Sequence, residues 1–249
     1  MTGWPDGYGR HVLASVDSTL SEAARMAAGA SGPVWIMAEQ QTAARGRRGR
    51  PWSMPAGNFA ATLLLPVSEA PGQVALRSFV ASLALREALV AATGRADDFE
   101  LKWPNDVLLR GGKLAGILLE SAGQGGQMRH LAIGIGVNLV AAPAVDEVEA
   151  GAVRPVSLKG VLGTVITSEA FLDLLADAYA RFELQFTTYG FAPIRTAWMS
   201  HAARLGEVIT ARTSRDETTG TFAEVDAAGN LVLETPKGRV AIAAADVYF

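Results

Sequence analysis

The sequence predicts an α+β fold: a mixed or antiparallel central sheet with flanking helices, followed by a small all-β unit. Three observations carry this. Strand-like stretches between Phe99 and Leu139 follow one another across turns, without intervening helices, which implies antiparallel pairing. Two long helical patterns, Gln73–Thr93 and Ser168–Phe186, lie outside that block. From about Leu205 the chain changes to short strands separated by turn residues. The expected division is 1–202 for a main domain and 203–249 for the β unit.

The elements can be justified in order. Residues 1–17 are too few for a folded unit and leave no room for a helix-turn-helix before the first motif. Thr19-x-x-Glu22 reads as a capping box that starts a helix running to Ala28 and closed by Gly29. Pro33–Ala38 and Asn58–Leu65 read as buried strands, the second ended by Pro66. The helix Gln73–Thr93 is apolar nearly all round, so it should be buried, with Gly94 as its stop. Phe99–Trp103 is a short strand. Val107–Leu109 and Lys113–Ser121 form a hairpin about Gly111-Gly112, a pair suited to positive φ. A second turn, Gly123–Gln127, leads into Met128–Leu139. Residues 141–156 are an Ala/Pro/acidic connector. Ser168–Phe186 is amphipathic, with Phe171, Leu174, Leu175, Ala178, Tyr179 and Phe182 on one face, and a short helix follows at Pro193–His201. Four strands close the chain at Glu207–Thr213, Thr219–Val225, Leu231–Glu234 and Val240–Ala243, in the manner of an SH3-like barrel.

Composition excludes several chemistries. The 249 residues have no cysteine, which removes a thiol nucleophile, disulfides and cysteine-based zinc. The three histidines, His11, His130 and His201, lack metal-ligand spacing. Neither a membrane-spanning run nor a signal peptide is evident, and the expected location is cytoplasmic. The net charge of −3 argues against general nucleic-acid binding.

Against that acidic background, Arg45, Arg47, Arg48 and Arg50 fall within six positions, interrupted by Gly46 and Gly49 and followed by Pro51-Trp52. Glycines and proline oppose a helix here, and nothing alternates as in a strand, so a mobile cationic loop is expected. It reads either as a solvated charged loop or as an anion cradle, since arginine forks match phosphate and carboxylate. Three further motifs have both a dull and a chemical reading. Pro104-Asn105-Asp106, within Lys102-Trp-Pro-Asn-Asp106, is good turn chemistry. Lys113 could be an exposed hairpin lysine. Gly134 and Gly136, in I-G-I-G-V-N-L at 133–139, suit close packing; the stretch is not a dinucleotide fingerprint, and no P-loop occurs.

Taken together in this order, the motifs resemble the biotin protein ligases. The matching stretches are A-E-Q-Q-T-A-A-R-G-R-R-G-R-P-W at 38–52, G-N-F at 57–59, K-W-P-N-D at 102–106, G-K-L-A-G-I-L-L-E at 112–120 and I-G-I-G-V-N-L at 133–139, and the likeness extends into the terminal β unit. The resemblance implies the fold shared by biotin ligases and class II aminoacyl-tRNA synthetases. It implies an enzyme-only type, with ATP, Mg²⁺ and biotin giving biotinyl-5′-AMP, and then transfer to a lysine of a biotin carboxyl carrier domain of a carboxylase. It implies no DNA or membrane partner, and a homodimer through an exposed sheet edge. By motif position, Ser18, Thr19, Gln41 and Gly116 belong to biotin. Arg45, Gly46 and Arg47 fold over biotin and the adenylate, and Lys113 holds first the carboxylate and then the phosphoryl oxygens. Lys113, Arg45 and Arg47 are thus the expected catalytic cations. Arg48, Trp52, Lys102, Asn105, Asp106 and Asn138 join Arg47 on the ATP side, with Trp52 stacked on adenine and Asp106 at the metal. Trp103 is expected as a wall. Two departures stand out: Ala44 where the family usually has glycine, and Leu20 where it usually has asparagine. Competing readings are a lipoate ligase or acyltransferase of the wider fold, a single-stranded nucleic-acid binder, and a biotin holder unable to adenylate.

Overall fold

A computed structural model describes residues 3–124, 127–144, 147–148, 151–213 and 216–249. In chain order the elements are β1 (Gly9–Val16), α1 (Thr19–Met26), β2 (Val34–Gln41), β3 (Phe59–Pro66), α2 (Pro71–Ala75), α3 (Arg77–Thr93), β4 (Phe99–Lys102), β5 (Asp106–Leu109), β6 (Gly112–Gln124), β7 (Gln127–Val137), α4 (Leu158–Leu162), α5 (Ser168–Tyr189), α6 (Phe191–Met199), β8 (Val208–Arg212), β9 (Glu217–Val225), β10 (Leu231–Thr235), β11 (Gly238–Ile242) and β12 (Asp246–Tyr248).

The first seven strands form one sheet in the order β1-β2-β3-β7-β6-β5-β4. It is mixed, because β1 runs parallel to β2 while the remaining neighbours are antiparallel. Strand β1 was not legible in the sequence, where 1–17 read as too short to fold; it forms by pairing with β2, a partner that local pattern does not reveal. Helices α3, α5 and α6 cover one face, burying Phe79, Leu83, Phe171, Tyr179 and Trp198 with Trp35, Phe59 and Leu63 of the sheet. Helix α1 lies on the other face, over Ile36, Leu64 and Ala132. Among the described residues no helix is long and apolar enough to cross a membrane.

Several expected boundaries shift. The helix expected at Gln73–Thr93 is two helices meeting at Leu76, and Gly94 ends the second at φ 70°. The β5–β6 turn has positive φ at Arg110 and Gly111, not at the Gly111-Gly112 pair. Gly112 is instead needed for space: a Cβ there would lie 2.4 Å from Val156 Cγ1. The tip of the turn expected at Gly123–Gln127 falls outside the described residues. Helix α4, which the sequence reading did not assign, follows directly on the 141–156 connector, capped by Ser157, whose hydroxyl accepts from Gly160 N at 3.1 Å. The capping box at Thr19 does not form. Ser18 occupies the cap position without a side-chain cap bond, Thr19 turns to Gln41, and Glu22 pairs with Arg25 at 2.6 Å.

The last five strands make a second antiparallel sheet, order β11-β10-β9-β8-β12, one strand more than the sequence pattern suggested. Its apolar residues Ile209, Phe222, Leu231 and Val247 are continuous with the main core. The turn before β10 is wedged against α2 and α3: Gly229 has φ 83°, and a Cβ there would meet Leu76 and Phe79 at 3.0 Å. Trp103 Nε1 donates to Gly229 O at 3.1 Å. Trp103 is therefore a buried tie between the sheets. These contacts fix the small sheet to the helical layer and to the β4–β5 corner of the large sheet.

Candidate active site

The molecule holds a cavity of about 620 Å³, lined by β2, β6, β7, the 44–53 segment, the β4–β5 corner and β12. All the residues assigned to biotin and ATP by motif line it, except Arg48.

The floor is glycine because something lies on it. A Cβ at Gly136 would sit 2.7 Å from Trp52 Cε2 and Nε1, and one at Gly116 would be 3.3 Å from Trp52 Cζ3. A Cβ at Gly134 would meet Leu20 Cδ1 at 2.9 Å. The indole of Trp52 thus rests on β6 and β7, beside Lys113, whose Nζ is 5.9 Å from the ring centre. Leu20, the apolar departure, covers the sheet where the family usually has a polar group.

One end of the cavity is neutral and polar. Thr19 donates to Gln41 Oε1 from its amide at 2.7 Å and from its hydroxyl at 3.1 Å. Thr62 Oγ1 donates in turn to Thr19 Oγ1 at 2.8 Å. These bonds lock Gln41 so that its amide group faces Met54 Sδ at 3.4 Å, a weak acceptor that a ligand carbonyl can displace.

The other end is cationic, and each cation rests on a carboxylate. Lys113 Nζ is 2.8 Å from Asp106 Oδ1, and Lys102 Nζ is 3.9 Å from Asp106 Oδ2. Burial holds the Lys102 ammonium below the usual lysine range, with Asp106 opposing that shift. Arg45 instead points toward α1 and the Thr19 end, where it forks onto Glu120 at 3.2 and 2.9 Å and donates to Ser21 at 2.8 Å. Arg47 donates to Ala245 O at 3.3 Å and lies 3.3 Å from Asp246, which Arg48 also reaches at 2.8 Å.

The arginine segment, expected to be mobile, is a closed turn. Gly46 N donates to Arg50 O at 2.7 Å and Trp52 N to Ala44 O at 3.0 Å. Positive φ falls at Arg48 (56°) and Gly49 (72°), and Ala44 is not among the positive-φ residues, so its methyl costs the backbone nothing here. Asn105 and Asn138 are built into the walls. Asn105 Nδ2 donates to Ile117 O, and Asn138 donates to Val156 O at 3.1 Å and accepts from Asn58 Nδ2 at 3.5 Å. Both line the cavity while fixing its loops.

In the ligand-free protein the Asp106 carboxylate, expected at the metal, is shared by the Lys102 and Lys113 ammonium groups. Among the described residues no cluster of three or more potential metal ligands occurs. Two carboxylates that hold the site's arginines were missed by sequence reasoning. Glu120 lay within a quoted motif without a role, and Asp246 lies in the three-residue strand β12, too short to give a pattern.

The sequence and the fold both have known counterparts. Residues 12–138 match the sequence profile of the biotin/lipoate A/B protein ligase family, and residues 205–249 match the biotin protein ligase C terminal domain. The biotin--[acetyl-CoA-carboxylase] ligase of Paracoccus denitrificans is 54% identical over 96% of this chain and 99% of its own length. The bifunctional ligase/repressor BirA of Bacillus subtilis is 31% identical, over 95% of this chain and 71% of its own. Biotin protein ligase from Aquifex aeolicus, solved in complex with biotin and ATP, superposes with a TM-score of 0.81 at 25% identity, covering 96% and 98% of the two chains. On sequence, fold and site together, the chain belongs to the biotin/lipoate A/B protein ligase family, among the biotin protein ligases.

Proposed function

We propose that the cavity binds biotin at its Ser18–Thr19–Gln41 end and ATP at its cationic end, and that the chain activates biotin and transfers it to a carrier lysine. The observation that carries this reading is the convergence of Lys113, Arg45 and Arg47 on one cavity that also presents the neutral, hydrogen-bonding Thr19–Gln41 group. In the first step a biotin carboxylate oxygen bonds to the α-phosphorus, the bond from that phosphorus to the bridging oxygen breaks, and pyrophosphate leaves. Anion meets anion, so positioned cations matter more than an acid/base pair. Lys113 exchanges Asp106 for the carboxylate and then for the phosphoryl oxygens, and Arg45 and Arg47 close over the anhydride. Lys102 faces the outer phosphates. Magnesium enters with ATP, and the Asp106 carboxylate released by Lys113 is the residue that would meet it. Trp52, resting on the glycine floor, offers its free face to the adenine ring.

In the second step a lysine amine of the carrier attacks the biotinyl carbonyl carbon, AMP leaves, and the amine proton passes to solvent. The carrier is a biotin carboxyl carrier domain, by analogy with the name of the Paracoccus relative. The reading assigns catalysis to residues 1–202 and a bracing role to 203–249, and it sets the reaction in the cytoplasm, without a DNA partner. A homodimer would use the open β1 edge of the large sheet, because Leu101 of the opposite edge strand already bonds His201 and Ala203 at 2.8 and 2.9 Å.

The test is incubation with biotin, Mg-ATP and a carrier domain of an acetyl-CoA carboxylase, followed by intact-mass and peptide analysis. One biotinyl group on a single lysine is the expected result. An unmodified carrier in the presence of active, folded protein contradicts the reading.

A further inference from the structure

Asp246 is met by three guanidinium groups from one turn. Arg48 approaches its carboxylate at 2.8 Å, Arg47 at 3.3 Å and Arg50 at 3.6 Å. Arg47 is also tied to the adjacent backbone, donating twice to Ala245 O at 3.3 Å. The carboxylate is largely sheltered, its side chain 17% exposed, whereas Arg48 and Arg50 are about half exposed. Asp246, Val247 and Tyr248 all line the cavity from the small sheet. The arginine turn thus bridges two sheets across the mouth of the site, and one carboxylate is its anchor on the far side.

Charge explains why that carboxylate matters. Three cations lie within about 4 Å of this one anion. Without the anion, the guanidinium groups repel each other in a partly desolvated place, where such repulsion is screened less than at an open surface. With it, the cations stay gathered, and Arg47 and Arg50 are held at the cavity wall. A lone exposed ion pair would contribute little, but a convergent set with backbone bonds holds a geometry.

We propose that Asp246 is a positioning residue: it holds the arginine turn across the cavity so that the turn retains biotinyl-AMP, and so makes the small sheet part of the closure. This rests on the ligase reading above. The experiment therefore has one arm that needs no catalysis. Trypsin cleaves after Arg45, Arg47 and Arg48 only when the turn opens. In the ligand-free protein, Asp246→Asn is expected to raise the rate of cleavage within 45–48 about tenfold, and Asp246→Glu to restore it to within about threefold of wild type. In a filter assay, Asp246→Asn is expected to release preformed biotinyl-AMP about tenfold faster, again with rescue by Asp246→Glu. Thermal unfolding controls for folding. If Asp246→Asn does not fold, Arg48→Gln/Arg50→Gln removes the anchor from the other side, and faster cleavage after Arg47 and faster release are expected there.

Equal cleavage rates in wild type and Asp246→Asn overturn the proposal, as does faster cleavage that Asp246→Glu fails to rescue. Faster rescued cleavage with unchanged adenylate release overturns its retention half. Absence of biotin-dependent adenylate in wild type would count against the ligase reading, while the cleavage arm would still decide the anchoring.

Discussion

At the scale of single residues, Lys113 and Arg47 have separable tasks. Lys113 rests on Asp106 beside Trp52, where the proposed reaction would bring the carboxylate and the α-phosphate together. Lys113→Ala is expected to lower biotin-dependent pyrophosphate exchange by at least about a hundredfold, the scale for removing one preorganised donor to a developing charge. Near-normal exchange would remove Lys113 from the reaction. Arg47 belongs to the turn that closes the site, so Arg47→Ala is expected to form adenylate and lose it. The measurement is release of biotinyl-AMP through a filter; wild-type release would contradict the closure. Leu20 belongs at this scale too. Its side chain covers Gly134 where a polar side chain is usual in the family, so in the proposed biotin placement the ureido ring would have one contact fewer.

At the scale of elements, the floor strands β6 and β7 depend on missing side chains. Gly136→Ala would drive a methyl to 2.7 Å from the Trp52 ring. The expected outcome is a destabilisation of about 1–3 kcal/mol in denaturant unfolding, the usual cost of overpacking, with a raised KM for ATP as the indole is displaced. An unchanged KM would mean that the indole position does not matter to the nucleotide. The sequence made some of this legible and hid the rest. Motif order placed the glycines, Lys113 and the arginines, and apolar pattern found α3 and α5, because those signals are local. Strand β1 was hidden because its partner β2 is non-local and its outer face is exposed. The capping box misled because Thr19 has a better partner in Gln41, 22 residues away. Asp246 was invisible because its value comes from the arginines of another sheet.

At the scale of the whole molecule, one cluster links the N-terminal segment to the helical layer. Arg77, nearly fully buried, pairs with Glu69 at 2.7 Å and Glu183 at 2.8 Å, and Tyr179 donates to Glu183 at 3.1 Å. Burial, aided by the negative charge of Glu183 and opposed by Arg77, pushes the Tyr8 hydroxyl up to about 12, and burial also raises Tyr179. For an acid held neutral by folding, the stabilisation is complete below the unfolded value near 10 and is lost as pH rises through the folded value. Unfolding free energy should therefore fall between pH 10 and about 12, and Tyr8→Phe should flatten that limb. A limb unchanged in Tyr8→Phe would assign the alkaline loss elsewhere. The two sheets share this core, so the cavity between them is a feature of the complete fold, and the small sheet takes part through β12.

The central claim is that this cavity activates biotin with ATP. Its most direct test is exchange of labelled pyrophosphate into ATP, with biotin, lipoate and octanoate compared in parallel. Exchange that depends on biotin and is absent with the other two acids is the expected result. Exchange with lipoate or octanoate instead would move the chain to the sister activity of its family. No exchange with any acid, in folded protein with magnesium, would mean a site that binds without activating.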